Sequence, residues 1–174
     1  MPGVFPYIRQ TTCLRFNLSM NPYLELGAFD PFGHLNVILN ATHCGPHLGK
    51  DGNVFGFGMI PGTCSNTGAP LYAVVVLDDL AFAGAVIPSR LVGVAGGCFI
   101  AVASASRQRI KAVQEIDPVA LGEIEELLTT KGWRVHKAWQ GPECAREMLV
   151  AGLRSAVAAQ VEEPLFPVRR LARA

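Results

Sequence analysis

The chain has 174 residues, half of them hydrophobic, with 15 lysines and arginines against 14 aspartates and glutamates and a formal net charge of +1. That size and apolar content suit one ordinary domain with a substantial core. The near-neutral charge, whose basic cluster is confined to Arg169, Arg170 and Arg173, argues against a nucleic-acid partner.

Cys13, Cys44, Cys64, Cys98 and Cys144 are odd in number and scattered, which fits free thiols in a reducing compartment. The opening Met1-Pro2-Gly3-Val4-Phe5-Pro6 has neither a basic stretch nor a continuous apolar run, so the expected location is the cytoplasm. A membrane span is not expected, because the uncharged run from Leu91 to Ser106 falls short of the ~20 residues that a bilayer requires.

Along the chain, Leu14, Phe16 and Leu18 alternate with polar neighbours and predict a first strand. Glycine and proline punctuate residues 21 to 33, after which Leu35, Val37 and Leu39 alternate in a second strand that His34 opens. His43 to Gly68 reads as a long irregular segment with a short helix near Asn53 to Ile60, weakened by Gly56 and Gly58. Leu71 to Leu77 is continuously apolar, as befits a central strand covered on both faces. Ala85 to Val94 and Cys98 to Ala103 read as further strands parted by Gly96-Gly97, with the latter segment also compatible with a helix start.

Asp117-Pro118 predicts a helix start, since Asp caps free amides and Pro loses nothing at the first helical position. Ala120, Ile124, Leu127 and Leu128 share one face of that helix, and Gly132 supplies its stop. Trp133 to Trp139 is expected as a strand. Gly141-Pro142 then opens a last helix with Ala145, Met148, Leu149, Gly152, Leu153 and Ala156 as its buried stripe. Residues 1–162 are thus expected to form one domain and residues 163–174 a flexible basic tail. With strands first and helices late, an α+β two-layer sandwich fits better than a doubly wound sheet.

His34 is the foremost functional candidate: an imidazole at a strand end beside a glycine-rich segment can carry protons in a pocket. A partly buried histidine bonded to a backbone carbonyl is the plain alternative. His43, Cys44 and His47 are metal-type ligands lying close together, but they lack the paired spacing of a structural zinc site. Gly45-Pro46-His47-Leu48-Gly49-Lys50-Asp51 is excluded as a phosphate loop, because its glycines are too close and Asp51 stands where a hydroxyl would hold magnesium. Asp78-Asp79 suits a turn or a cap as well as a base. Arg90, between apolar neighbours, must find an anion, an ion-pair partner or a cleft.

Three segments in order resemble the pattern of the formaldehyde-activating enzyme family, the tetrahydromethanopterin hydro-lyases. They are Gly33-His34-Leu35-Asn36-Val37-Ile38-Leu39, Gly45-Pro46 with Phe55, and Leu71-Tyr72-Ala73-Val74; Ser89-Arg90-Leu91-Val92 is similar to a later stretch. The resemblance implies a ribosomal protein S5 domain 2-like fold, a ring-shaped homo-oligomer such as a pentamer, and condensation of formaldehyde with a reduced pterin to the methylene adduct and water. It implies His34 as the general acid, a pocket lined by Asn36, Tyr72, Arg90 and Val92, the pterin as co-substrate, and no bound metal or other cofactor. The chain departs from that family at Asn36, Tyr72, Arg90 and Val92, so a silent binder of a pterin or aldehyde is one alternative; metal binding through His43, Cys44 and His47 is another.

Overall fold

The computed structural model describes residues 26–44, 54–135 and 139–162. The strand expected at Leu14 to Leu18, the loop residues around His47 and the tail expected at residues 163–174 lie outside the described residues. The elements run β1 (Leu35–Cys44), β2 (Val54–Ile60), β3 (Leu71–Leu77), β4 (Val86–Ala95), β5 (Cys98–Ala103), a 3-10 turn (Val113–Glu115), α1 (Pro118–Thr130), β6 (Trp139–Gln140) and α2 (Pro142–Glu162).

The strands form one mixed sheet in the order β1-β2-β3-β5-β4-β6, and β1 also pairs with β4. That additional pairing closes β1, β2, β3, β5 and β4 into a barrel. Closure pairs backbone groups along edges that an open sheet would leave free. The molecule is α+β, but the expected S5-like two-layer sandwich is not what forms. Closure depends on β1 and β4, about fifty residues apart, and no local periodicity reports it. It is helped by irregularities in register between Leu39 and Ala41 and between Leu91 and Gly93, since such bulges bend and twist a strand.

Two apolar clusters follow from the alternation of side chains. Every barrel strand contributes to the first, through residues such as Leu39, Ile60, Val75, Val94 and Phe99, and α2 joins it through Ala145 and Leu149. The second takes Phe57, Val74, Ile100 and Val102 from the opposite face and packs them against Ala120, Ile124, Leu127 and Leu128 of α1. The α1 stripe is the one its sequence pattern predicts, and Asp117 accepts hydrogen bonds from the amides of Val119 and Ala120.

One expected helix is a strand. Val54–Ile60 pairs with both β1 and β3, and its glycines serve close packing: a Cβ on Gly56 would meet Leu39 Cδ2 at 2.6 Å. Of the strand expected from Trp133 to Trp139, only Trp139–Gln140 is a strand among the described residues.

β4 is shared along one edge. Its first half pairs with β1 up to Ser89 opposite Leu35, and its end pairs with β6 from Val94 opposite Gln140. Between these pairings, Arg90 to Gly93 have no strand partner on that edge among the described residues. Among the described residues the barrel therefore carries a short open seam, and α2 lies against β4 beside it.

Candidate functional site

A cavity of about 590 Å³ opens at this seam. Its walls come from Gly33 to Leu35 at the head of β1, Ser89 to Val92 of β4, Ile110 and Lys111, and Arg146, Leu149 and Val150 of α2. The closure of the barrel thus brings three cations, Arg90, Lys111 and Arg146, to one hollow with His34, and no carboxylate among the described residues lines it.

Arg90 is held by one hydrogen bond, from Nη2 to the Gln108 carbonyl at 2.7 Å. Its Nε is buried and has no partner. A buried donor left unpaired costs on the order of 1–3 kcal/mol, and a guanidinium has no neutral form to escape into. An anion in the cavity would relieve that cost. Arg146 meets Glu143 only at 3.5 Å and in the open, so its charge remains available.

His34 is fixed by a tight turn. Asp30 Oδ1 accepts from the amides of Phe32 and His34, both at 2.8 Å, while Asp30 Oδ2 lies 2.9 Å from His34 Nδ1. Desolvation raises the Asp30 pKa, but the bonds from the His34 ring and these two amides outweigh it and hold the carboxyl below its ordinary range. With Nδ1 donating to a carboxylate, the imidazole presents Nε2 as an acceptor.

The other expected site residues divide. Val92 lines the cavity with His34 and Arg90. Asn36 does not: it is buried, and its Nδ2 donates to the Gly27 carbonyl at 3.0 Å. Tyr72 stacks on Phe57 with ring centroids 5.5 Å apart and meets Trp133 edge-on, packed against the α1-facing cluster. Sequence reasoning missed Lys111, Arg146 and Asp30. Only Asp30 left a local signal, as the head of the Asp30-Pro31-Phe32-Gly33 turn directly before His34.

His43 sits apart from the cavity, opposite Phe55 in the β1–β2 ladder. Burial, and then the charge of Lys131, push its pKa below the ordinary 6.5, and its Nε2 is buried without a partner. The unfolded chain therefore takes up this proton at a higher pH than the folded one, so stability falls as pH drops below about 6.5. His43→Gln is expected to flatten that part of the stability-against-pH curve, measured by urea unfolding between pH 7 and 5; an unchanged slope would contradict it.

Among the described residues, no three of His, Cys, Asp or Glu converge on a point that could hold a metal. Asp78 is engaged by the Ser106 hydroxyl and the Arg107 amide, which lower its pKa, Asp117 caps α1, and Asp30 holds His34. Cys98 is inert, its pKa pushed up to about 12 by burial. No described helix is long and apolar enough to cross a membrane.

No protein-family model matches the chain, and no curated protein matches its sequence. Solved structures do match. The chain is similar to an inorganic pyrophosphatase from Helicobacter pylori, with TM-score 0.60, 19% identity and coverage of 75% of this chain and 95% of that one. An inorganic pyrophosphatase from Coxiella burnetii aligns with TM-score 0.61 and 17% identity over 75% and 99% of the two chains. One from Ehrlichia chaffeensis aligns with TM-score 0.59 and 21% identity over 74% and 99%. The chain shares the fold of these enzymes.

These matches overturn the resemblance to formaldehyde-activating enzymes. With it go the S5-like fold, the formaldehyde and pterin lyase chemistry, the pterin co-substrate and the pentamer. The silent pterin or aldehyde binder and the metal-binding alternative lose their support as well. The physical reason is that an alternating strand, a glycine-rich loop and an apolar strand in that order also describe the first three strands of this barrel.

Proposed function

We propose that the chain binds a small phosphoryl-bearing anion in the seam cavity, without hydrolysing it through bound divalent metal. The observation that carries this is the convergence of Arg90, Lys111, Arg146 and His34 on one hollow that, among the described residues, no carboxylate lines and in which Arg90 Nε is buried and unpaired. Arginine binds phosphate oxygens through fixed, charge-assisted hydrogen bonds, and a vacant guanidinium donor is suited to one.

Hydrolysis of pyrophosphate itself is a second reading, favoured by the solved structures that share the fold. Two-metal phosphoryl chemistry draws on clustered oxygen ligands, chiefly carboxylates, to place the cations. Among the described residues no three such groups converge, and Asp30, Asp78 and Asp117 are already engaged in turn and capping bonds, so the described residues do not fit that group.

Titration calorimetry with sodium pyrophosphate in the presence of a chelator tests the proposal. Binding is expected, and Arg90→Gln should weaken it at least about tenfold, the value of one charge-assisted bond, with the circular dichroism spectrum unchanged. No binding of pyrophosphate or orthophosphate by the native chain would sink it. Magnesium-stimulated release of phosphate from pyrophosphate would establish the second reading in its place.

A further inference from the structure

The cavity offers more than an inorganic anion can use. Its volume of about 590 Å³ lies in the range that small organic ligands occupy. Leu35, Val92 and Leu149 in its walls are 2% exposed or less, whereas Phe29 and Val150, which also line it, remain 47% and 45% exposed. Apolar side chains left open beside a concave, charged hollow are the ordinary surroundings of a ligand with a carbon skeleton. Inorganic pyrophosphate has no apolar atom to lay against them, and it would surrender water there without return.

We infer, on the strength of the anion-binding proposal above, that the ligand is an amphiphilic phosphate ester. Its phosphoryl oxygens would bond Arg90, Lys111 and Arg146, and its aliphatic or aromatic group would cover Phe29 and Val150. The fixed Asp30–His34 pair adds its imidazole to the same hollow, where Nε2, as an acceptor, can take a bond from a hydroxyl of the ligand. The structure therefore assigns specificity to the apolar side of the cavity and affinity for the headgroup to its cations.

Calorimetric titration of the full chain with three probes tests this: dimethylallyl diphosphate, inorganic pyrophosphate, and hexanoate as an anion with a tail but no phosphate. Dimethylallyl diphosphate is expected to bind at least about tenfold more tightly than pyrophosphate, the return from burying roughly two methylene-sized groups. Hexanoate should bind more weakly than either. Phe29→Ala is expected to reduce the preference for the organic diphosphate severalfold while leaving pyrophosphate affinity in place. Val150→Ser, on the exposed side of α2, provides the same readout independently of the turn that holds Phe29.

Equal or tighter binding of pyrophosphate would overturn the inference and spare the anion-binding proposal. Hexanoate binding as tightly as the diphosphate would overturn the phosphate assignment. If neither phosphate compound binds, the anion-binding proposal falls and the inference with it.

Discussion

Phe99→Ala is expected to lower the unfolding free energy by about 3–5 kcal/mol, the cost typical of removing a fully buried aromatic ring. Phe99 is 0% exposed and stands opposite Ala73 on β3 and Val94 on β4. Ala73 in turn faces Gly58, which faces Leu39. The row around the barrel thus sets the large ring beside Ala73, whose small side chain leaves room for it. A neighbour so small cannot grow into the void, and collapse would have to come from the backbone of a closed barrel. Urea unfolding at constant m-value is the measurement; a loss below about 1.5 kcal/mol would mean that the ring does not fill the lumen.

Gly58→Ala is expected to cost about 3 kcal/mol, at the upper end of the ordinary penalty for overpacking. An added Cβ would overlap the Ile38 carbonyl, with its carbon 2.8 Å away and Leu39 Cα at 3.0 Å. These are backbone atoms at the β1 bulge, so relief requires the β1–β2 ladder itself to move. Gly122→Ala in α1 is the control: nothing lies within 4 Å of its added Cβ, and helix propensity there favours alanine by about 0.5–1 kcal/mol. Thermal unfolding should separate the two variants in opposite directions. A neutral Gly58→Ala would show that β1 and β2 do not approach as closely as the register requires.

The helix α1 was legible because all its determinants are local: Asp117 caps it, Pro118 starts it, and Ala120, Ile124, Leu127 and Leu128 recur at the helical period. β3 was legible because an unbroken apolar run of seven residues suits a strand buried on both faces. β2 was not, because Gly56 and Gly58 dilute its pattern, and the contacts that require them, Leu39 and Ile38, lie on another strand. The barrel itself escaped for the same reason, as β1–β4 pairing has no signature in either segment alone.

The candidate site divides along this line. His34 and Arg90 were visible as polar residues at the ends or between the apolar positions of strands. Lys111 and Arg146 come from a loop and a late helix, and they became neighbours of His34 only through closure. Asn36 and Tyr72 were drawn in by alternation along a strand. The first spends its amide on Gly27, and the second spends its ring on Phe57 and Trp133.

Along one edge β4 belongs to two partners in succession, and between them, among the described residues, the sheet is not stitched. A molecule lodged in that gap would touch the head of β1, the middle of β4 and α2 at once. Occupancy and the cohesion of the barrel would then share one free energy. At a hundred times its dissociation constant, such a ligand would add about 2.7 kcal/mol to the resistance to unfolding. The loss of that ligand would be felt first as a barrel that opens along a single line.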